Sequence, residues 1–229
     1  MANSSIISDT YKSRVDFFLD RCKEKDVLHL GCSSGRYLED RLRRGSLLHS
    51  QLRSVARILY GLDLDLESLV KMKRMGFSNL IEGNAEKLEA VSFGQQFDVV
   101  IAGDLLEHIT RPGALLDGVI RLLKPDGCFI ISTNNAFGLH YQLRRWAGQY
   151  AEHFEHVCFY SPETLAHLFQ RHGYHVSEMY GAFTEPPNGW KQKMKFAIGK
   201  PLFRMFPVLA GTLIVVAIPL PQSEAESID

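Results

Sequence analysis

The segment DVLHLGCSSGRYLEDRL sets a tight turn, Gly31-Cys32-Ser33-Ser34-Gly35, between an apolar run and an amphipathic one. A strand that ends in such a turn and feeds a helix points backbone amides and the positive end of the helix at a ligand. Dinucleotide binding would need G-x-G-x-x-G, whose second and third glycines are here Ser33 and Arg36, so NAD and FAD are disfavoured. The same five residues fit the G-x-S-x-G nucleophile elbow. A hydrolase would also need an oxyanion glycine cluster upstream, and only about 30 residues precede this turn, with no such cluster among them.

Two carboxylates follow in GLDLD. Asp63 falls at the tip of the second strand, beside the glycine turn, where this architecture places an acceptor for ribose hydroxyls. Asp65 opens the helix LESLVKMKRMG and reads as its N-cap. GNAEKLE after the third strand and AGDLLEHI after the fourth bring further polar groups to the same sheet edge. Their convergence points to a nucleoside ligand.

The elements that must position these groups are β-α units. Apolar runs rich in Val, Ile and Leu alternate with longer amphipathic stretches, which predicts a parallel sheet covered on both faces. Seven strands are expected, at 26–31, 57–63, 78–83, 97–103, 127–133, 174–183 and 211–219. Helix signals lie between them: Leu115, Leu116, Val119, Ile120 and Leu123 share one face, and Ser161, Pro162 and Gly173 mark a helix by N-cap, first position and C′. The stretch SLLHSQLRSVA reads as an extra helical turn or two before the second strand.

The composition is that of a globular protein, with 26 basic and 26 acidic residues among 229, so no global charge favours nucleic acid. Cys22, Cys32, Cys128 and Cys158 are scattered and form no C-x-x-C pair, which suits free thiols in a reducing, cytoplasmic compartment. The start lacks the apolar core of a signal peptide. The longest apolar stretch, Val208 to Leu220, has 13 residues, too few for a membrane-spanning helix. One domain is expected over residues 1–221, with residues 222–229 a disordered acidic tail.

Taken together, VLHLGCSSGRYLE, GLDLD, GNAEKL and FDVVIAGDLLEHITRPGALLDGVIRLLKPDGCFIISTNN resemble the class I S-adenosylmethionine-dependent methyltransferases. The resemblance covers about residues 20 to 220. It is nearest to small-molecule O-methyltransferases, including the ubiquinone-biosynthesis type and relatives associated with bacterial glycan assembly. It implies an α/β fold, a Rossmann-like doubly wound seven-stranded sheet, mostly parallel, whose antiparallel last strand is GTLIVVAIP. It also implies S-adenosylmethionine as cofactor, with Gly31 and Gly35 along its methionine part, Asp63 on the ribose, Asn84 with Ala85 at the adenine, and Asp104 near the methionine end. Cys32 and Leu64 complete the expected cofactor set. The sequence departs from the family at two places: Ser33 replaces the middle glycine and must turn its side chain away, and Asn84 replaces an acid. An amide offers one acceptor oxygen where an acid offers two, which weakens a hold on the adenine amino group.

Methyl transfer from a sulfonium is an in-line displacement, so the protein aligns the reactants and removes the acceptor's proton. A base near neutral pH suggests histidine, and the resemblance places His108, His153 and His156 near the active edge. Each could instead bond a backbone carbonyl or line the pocket. Glu107 reads as a pocket acid or a helix-cap partner. His153-x-x-His156 could put two metal ligands on one helix face, but no third ligand is evident and no metal is expected.

The expected function is methyl transfer to a hydroxyl of a small molecule or glycan intermediate. The alternatives are a quinone-type phenol O-methyltransferase and a cofactor-binding protein without activity. The segment 190–207 interleaves Lys191, Lys193, Lys195, Lys200 and Arg204 with aromatics, and Gly199 and Pro201 predict two short pieces. It reads as a connection between the last two strands or as a contact with an anionic membrane or acidic acceptor.

Overall fold

The computed structural model describes residues 7–149, 153–183 and 190–221. In chain order the elements are β1 (Ser8–Ser13), α1 (Arg14–Cys22), β2 (Asp26–Leu30), α2 (Leu38–Arg43), α3 (Leu48–Arg53), β3 (Ile58–Asp63), α4 (Leu66–Arg74), β4 (Leu80–Glu82), β5 (Phe97–Gly103), α5 (Pro112–Ile120), β6 (Leu123–Asn134), α6 (Leu139–Trp146), α7 (Pro162–Arg171), β7 (Tyr174–Phe183), α8 (Trp190–Met205) and β8 (Thr212–Pro219). One sheet holds the strands in the order β1-β7-β8-β6-β5-β2-β3-β4. All pairs are parallel except those of β8, which runs antiparallel to both β6 and β7.

The strands form where they do because both sheet faces are covered. In β2 every residue is buried: Leu28 and Leu30 face one apolar cluster with α5 and α7, while Val27 faces the other with α1 and α3. Such strands read as continuous apolar runs. The apolar run near the C-terminus is β8, an interior strand, and no described helix is long and apolar enough to cross a membrane. Helix starts follow the local chemistry. Asp65 accepts from the Ser68 amide at 3.1 Å, and Ser161 with Thr164 forms a capping box ahead of Pro162. At the opposite edge of the sheet from the glycine turn, Asp26 and Asp98 are bridged by Arg57 and Lys124.

All seven expected strands are present, and an eighth joins them. β1 has no apolar pattern in SDTYKS and pairs parallel with β7 through its backbone, so nothing in its side chains announces it. The second difference is α8, a single 16-residue helix with Pro201 inside rather than two pieces. Proline removes one backbone donor and crowds the preceding turn, but packing of the helix along β1 and the short turn Pro207–Leu209 holds it together. The side chains of Lys191, Lys193, Lys195 and Lys200, and the acidic tail at 222–229, lie outside the described residues.

Candidate functional site

Because β2, β3 and β5 are parallel, Leu30, Asp63 and Gly103 end at one edge of the sheet. The chain leaves β2 toward β3 on one side and later returns to β5 on the other, so this edge is the topological switch point where α/β sheets bind ligands. A cleft of about 410 Å³ opens there, within the range of small-molecule sites.

The glycine turn forms one wall. Gly31, Ser34 and Gly35 take left-handed φ values of 71°, 61° and 50°. At Gly31 a Cβ would stand 3.3 Å from Leu105 Cδ1 and strain the backbone as well, which is the physical reason for glycine at this position. Ser33 is fully buried and turns its hydroxyl inward, where Oγ accepts from the Gly35 amide at 3.1 Å. The Asp63 carboxylate is held from both sides: the Ser33 amide donates to Oδ2 at 2.8 Å and the Asp65 amide to Oδ1 at 3.0 Å. It lines the cleft with its remaining acceptor capacity.

The floor holds a buried ion pair. Arg14, the first residue of α1, is 4% exposed, and its Nη1 lies 2.5 Å from Asp104 Oδ2. Ser132 Oγ donates to Asp104 Oδ1 at 2.9 Å. Arg14 Nε is buried and has no hydrogen-bond partner among the described residues. Arg14 lines the cleft, where a planar fork of donors suits a carboxylate. Below it, His29 Nδ1 and His49 Nδ1 are 3.3 Å apart in a buried pair, and burial together with the neighbouring His49 and Arg14 holds the His29 imidazole well below its usual range, so it is neutral.

The far wall carries the histidines. His108 and His156 meet edge to face with ring centroids 4.8 Å apart. His108 Nδ1 donates to the Glu155 carbonyl at 3.1 Å, since a carbonyl can only accept. In the neutral ring this leaves Nε2 as the basic nitrogen. His156 is kept below its ordinary pKa by burial and by His108 and His153. Arg36 Nη2 donates to His153 Nε2 at 3.1 Å, which occupies that nitrogen. Behind them Glu107 is 1% exposed and accepts from Thr133 Oγ1 at 2.8 Å and Asn134 Nδ2 at 3.3 Å. Burial and the charge of Asp104 push its carboxyl up to about 8. Glu107 is therefore an acid buried behind the cleft lining, and its side chain is not a helix cap. Glu107, His108 and His156 place their donor atoms within 4.8 Å of one another, a carboxylate and two imidazoles of the kind that can hold a divalent cation.

Of the residues singled out in the sequence, Gly31, Gly35, Asp63, Asp104, His108, His153 and His156 line this one cleft. Cys32 is buried behind the turn among Leu38, Leu47 and Leu69, and the Leu64 side chain is 65% exposed to solvent. Asn84 and Ala85 stand outside the lining; Asn84 caps a short turn, its Oδ1 accepting from the Glu86 amide at 2.8 Å. Arg14, His29, Arg36 and Glu155 line the cleft too. A histidine within the apolar run DVLHLG was the readable signal for His29, whereas Arg14 follows a strand that the sequence hides.

These groups suit a nucleoside that carries an amino acid: a guanidinium paired with Asp104 at the cleft floor, an aspartate oriented by two backbone amides, and a turn that admits close backbone approach. The comparisons agree. A family model described as a methyltransferase domain matches residues 5–178. The ubiquinone biosynthesis O-methyltransferase of Salmonella paratyphi A is 31% identical over 118 residues, 50% of this chain and 44% of the relative, so the match spans less than half the relative's length. That of Aeromonas salmonicida is 24% identical over 82% of this chain and 77% of its own. Among solved structures, an S-adenosylmethionine-dependent methyltransferase from Archaeoglobus fulgidus aligns with a TM-score of 0.56 at 18% identity, covering 89% of this chain and 90% of that one. The magnesium protoporphyrin IX methyltransferase of Synechocystis, solved with SAH bound, aligns with a TM-score of 0.56 at 13% identity over 90% and 81%. The two structures share the fold. With three quarters of its length matched by the family model and a cleft of this composition at the switch point, the chain belongs to the class I S-adenosylmethionine-dependent methyltransferases.

Proposed function

We propose that residues 1–221 act as one domain that transfers a methyl group from S-adenosylmethionine to a hydroxyl of a small molecule or glycan intermediate. The observation that carries this reading is the junction, in one cleft, of Asp63 and the Arg14–Asp104 pair with a histidine whose Nδ1–H is committed to the Glu155 carbonyl, leaving Nε2 as its basic nitrogen. The names of the two curated relatives above, both ubiquinone biosynthesis O-methyltransferases, support a hydroxyl acceptor and favour a phenol as the second choice.

Bound in the cleft, the cofactor supplies a methyl group already activated on a sulfonium. Arg14 would take its carboxylate, Gly31 and Gly35 would line the methionine part with Asp104 nearby, and Asp63 would accept from the ribose hydroxyls. Asn84 and Ala85, which the resemblance puts at the adenine, lie outside the cleft lining and would reach it only if the ligand extends past that lining. His108 takes the acceptor's proton at Nε2, because Glu155 holds Nδ1 protonated. His156 packs against His108 and fixes its ring. The test is a mass spectrum of the purified protein for retained cofactor, followed by an acceptor panel with radiolabelled S-adenosylmethionine. Labelled hydroxyl-bearing products support the reading; labelled amines or thiols alone overturn the acceptor class, and failure to bind the cofactor overturns the whole.

A further inference from the structure

A surface helix of a globular protein turns its apolar stripe to the core. Two helices here leave large apolar side chains in solvent. In α6, Leu143 and Trp146 continue the stripe that starts at Leu139, and both are exposed, Trp146 by 78%. The helix is buried only at Tyr141, whose hydroxyl donates to Asn134. In α8, positions 190, 194, 197, 201 and 205 recur at the spacing of one helix face, and Trp190, Met194, Pro201 and Met205 along it are all exposed, Trp190 by 69%.

The two helices are fastened at a common point. Asn135, just before α6, donates through Nδ2 to the carbonyls of Val208 at 2.6 Å and Ala210 at 2.7 Å, in the segment that follows α8. The His140 ring packs on Gly211. β8 is antiparallel to β6, so the end of β6 and the start of β8 lie at the sheet edge that holds the cleft.

The sequence of these segments carries charge of one sign. Residues 127–151 contain Arg144 and Arg145 and no acid, and residues 186–223 contain Lys191, Lys193, Lys195, Lys200 and Arg204 and no acid, in a chain whose net charge is zero. Exposed tryptophans and apolar side chains in segments whose only charges are cationic match a bilayer interface: hydrocarbon for the apolar side chains, anionic headgroups for the cations, and the boundary for the tryptophans.

The geometry points to α6 and α8 as a docking surface for an anionic phospholipid membrane. The sequence supplies its own probe, because Trp146 and Trp190 are the only two tryptophans. The full chain is titrated at low salt with vesicles of phosphatidylcholine containing phosphatidylglycerol, and with phosphatidylcholine alone. The expected result is a blue shift of tryptophan emission with the anionic vesicles, seen in Trp146→Phe and in Trp190→Phe alike, so that each helix reports separately. It fades with added salt. Arg144→Gln with Arg145→Gln should weaken binding by roughly fivefold per cation, about 25-fold together, with circular dichroism unchanged. Emission that no vesicle alters overturns the proposal. So does an equal, salt-insensitive shift with phosphatidylcholine alone, or a concentration-dependent shift without vesicles, which would show a second copy of the chain covering the stripes.

Discussion

The Ser33 amide donates to Asp63 Oδ2 at 2.8 Å, a bond that fastens the glycine turn to the tip of the neighbouring strand across 30 residues of chain. Asp63 thus shapes the site as well as facing it. Asp63→Ala leaves the Ser33 and Asp65 amides without their acceptor and removes the group proposed for the ribose. Hydrogen bonds to a charged acceptor contribute roughly 1.5 to 3 kcal/mol, so affinity for S-adenosylmethionine should fall about 10- to 100-fold by calorimetry. Asp63→Asn keeps one acceptor oxygen and should fall in between. Equal affinities for all three proteins would remove Asp63 from the site.

Arg14 and Asp104 depend on each other. Removing one member of a buried pair leaves the other charge without its partner, at a cost of about 3–5 kcal/mol when both are enclosed. The Asp104 side chain is 31% exposed, so Arg14→Met should destabilise the fold by only about 1–3 kcal/mol, measured by urea unfolding. The same variant should bind S-adenosylmethionine more weakly, while its affinity for adenosine, which has no carboxylate, should change little. A parallel loss for adenosine would mean that Arg14 supports the cleft in general and not a carboxylate.

The three histidines are not equivalent. His108 donates Nδ1–H to the Glu155 carbonyl, which leaves Nε2 as its basic nitrogen, whereas Arg36 occupies His153 Nε2. His108→Ala should lower kcat by about 10²- to 10⁴-fold with cofactor affinity retained, the usual loss for a general base. His153→Ala should cost far less. If the order were reversed, the proton path would run through His153 and Arg36 would have to move first.

The sheet was legible because its interior strands are buried on both faces and spell themselves as apolar runs. β1 was not: SDTYKS sits at the sheet edge and is recruited by the backbone of β7, which leaves no side-chain pattern to read. That omission hid Arg14, the residue that β1 delivers to the cleft floor. In the same way, the turn and Asp63 could be placed from spacing and the resemblance put His108 and His156 at the active edge, but the close approach of Glu107 to that pair could not be read. His156 is distant in sequence and arrives only through the fold of the segment after α6. α8 shows the reverse error, in which local breakers at Gly199 and Pro201 suggested an interruption that packing overrides.

Glu107 makes the stability of the protein depend on pH in a stated direction. Its carboxyl is pushed from the ordinary 4.5 to about 8, first by burial and then by Asp104. The folded state therefore holds this proton more tightly than the unfolded chain does. Between these two values the folded protein binds more protons, so stability must fall as pH rises through that window. The contribution is complete below the unfolded value and is lost once the pH passes the folded one. Glu107→Gln preserves the shape and cannot ionise, and its amide oxygen can still accept from Thr133. The variant should lose the downward slope between pH 5 and 8, gaining on the native protein as pH rises, by up to about 1.4 kcal/mol for each pKa unit of the shift. Urea unfolding at several pH values reads this directly. Parallel curves for the two proteins would show that Glu107 is ionised in the folded state at neutral pH, with a cation from its neighbours or from solution balancing the charge.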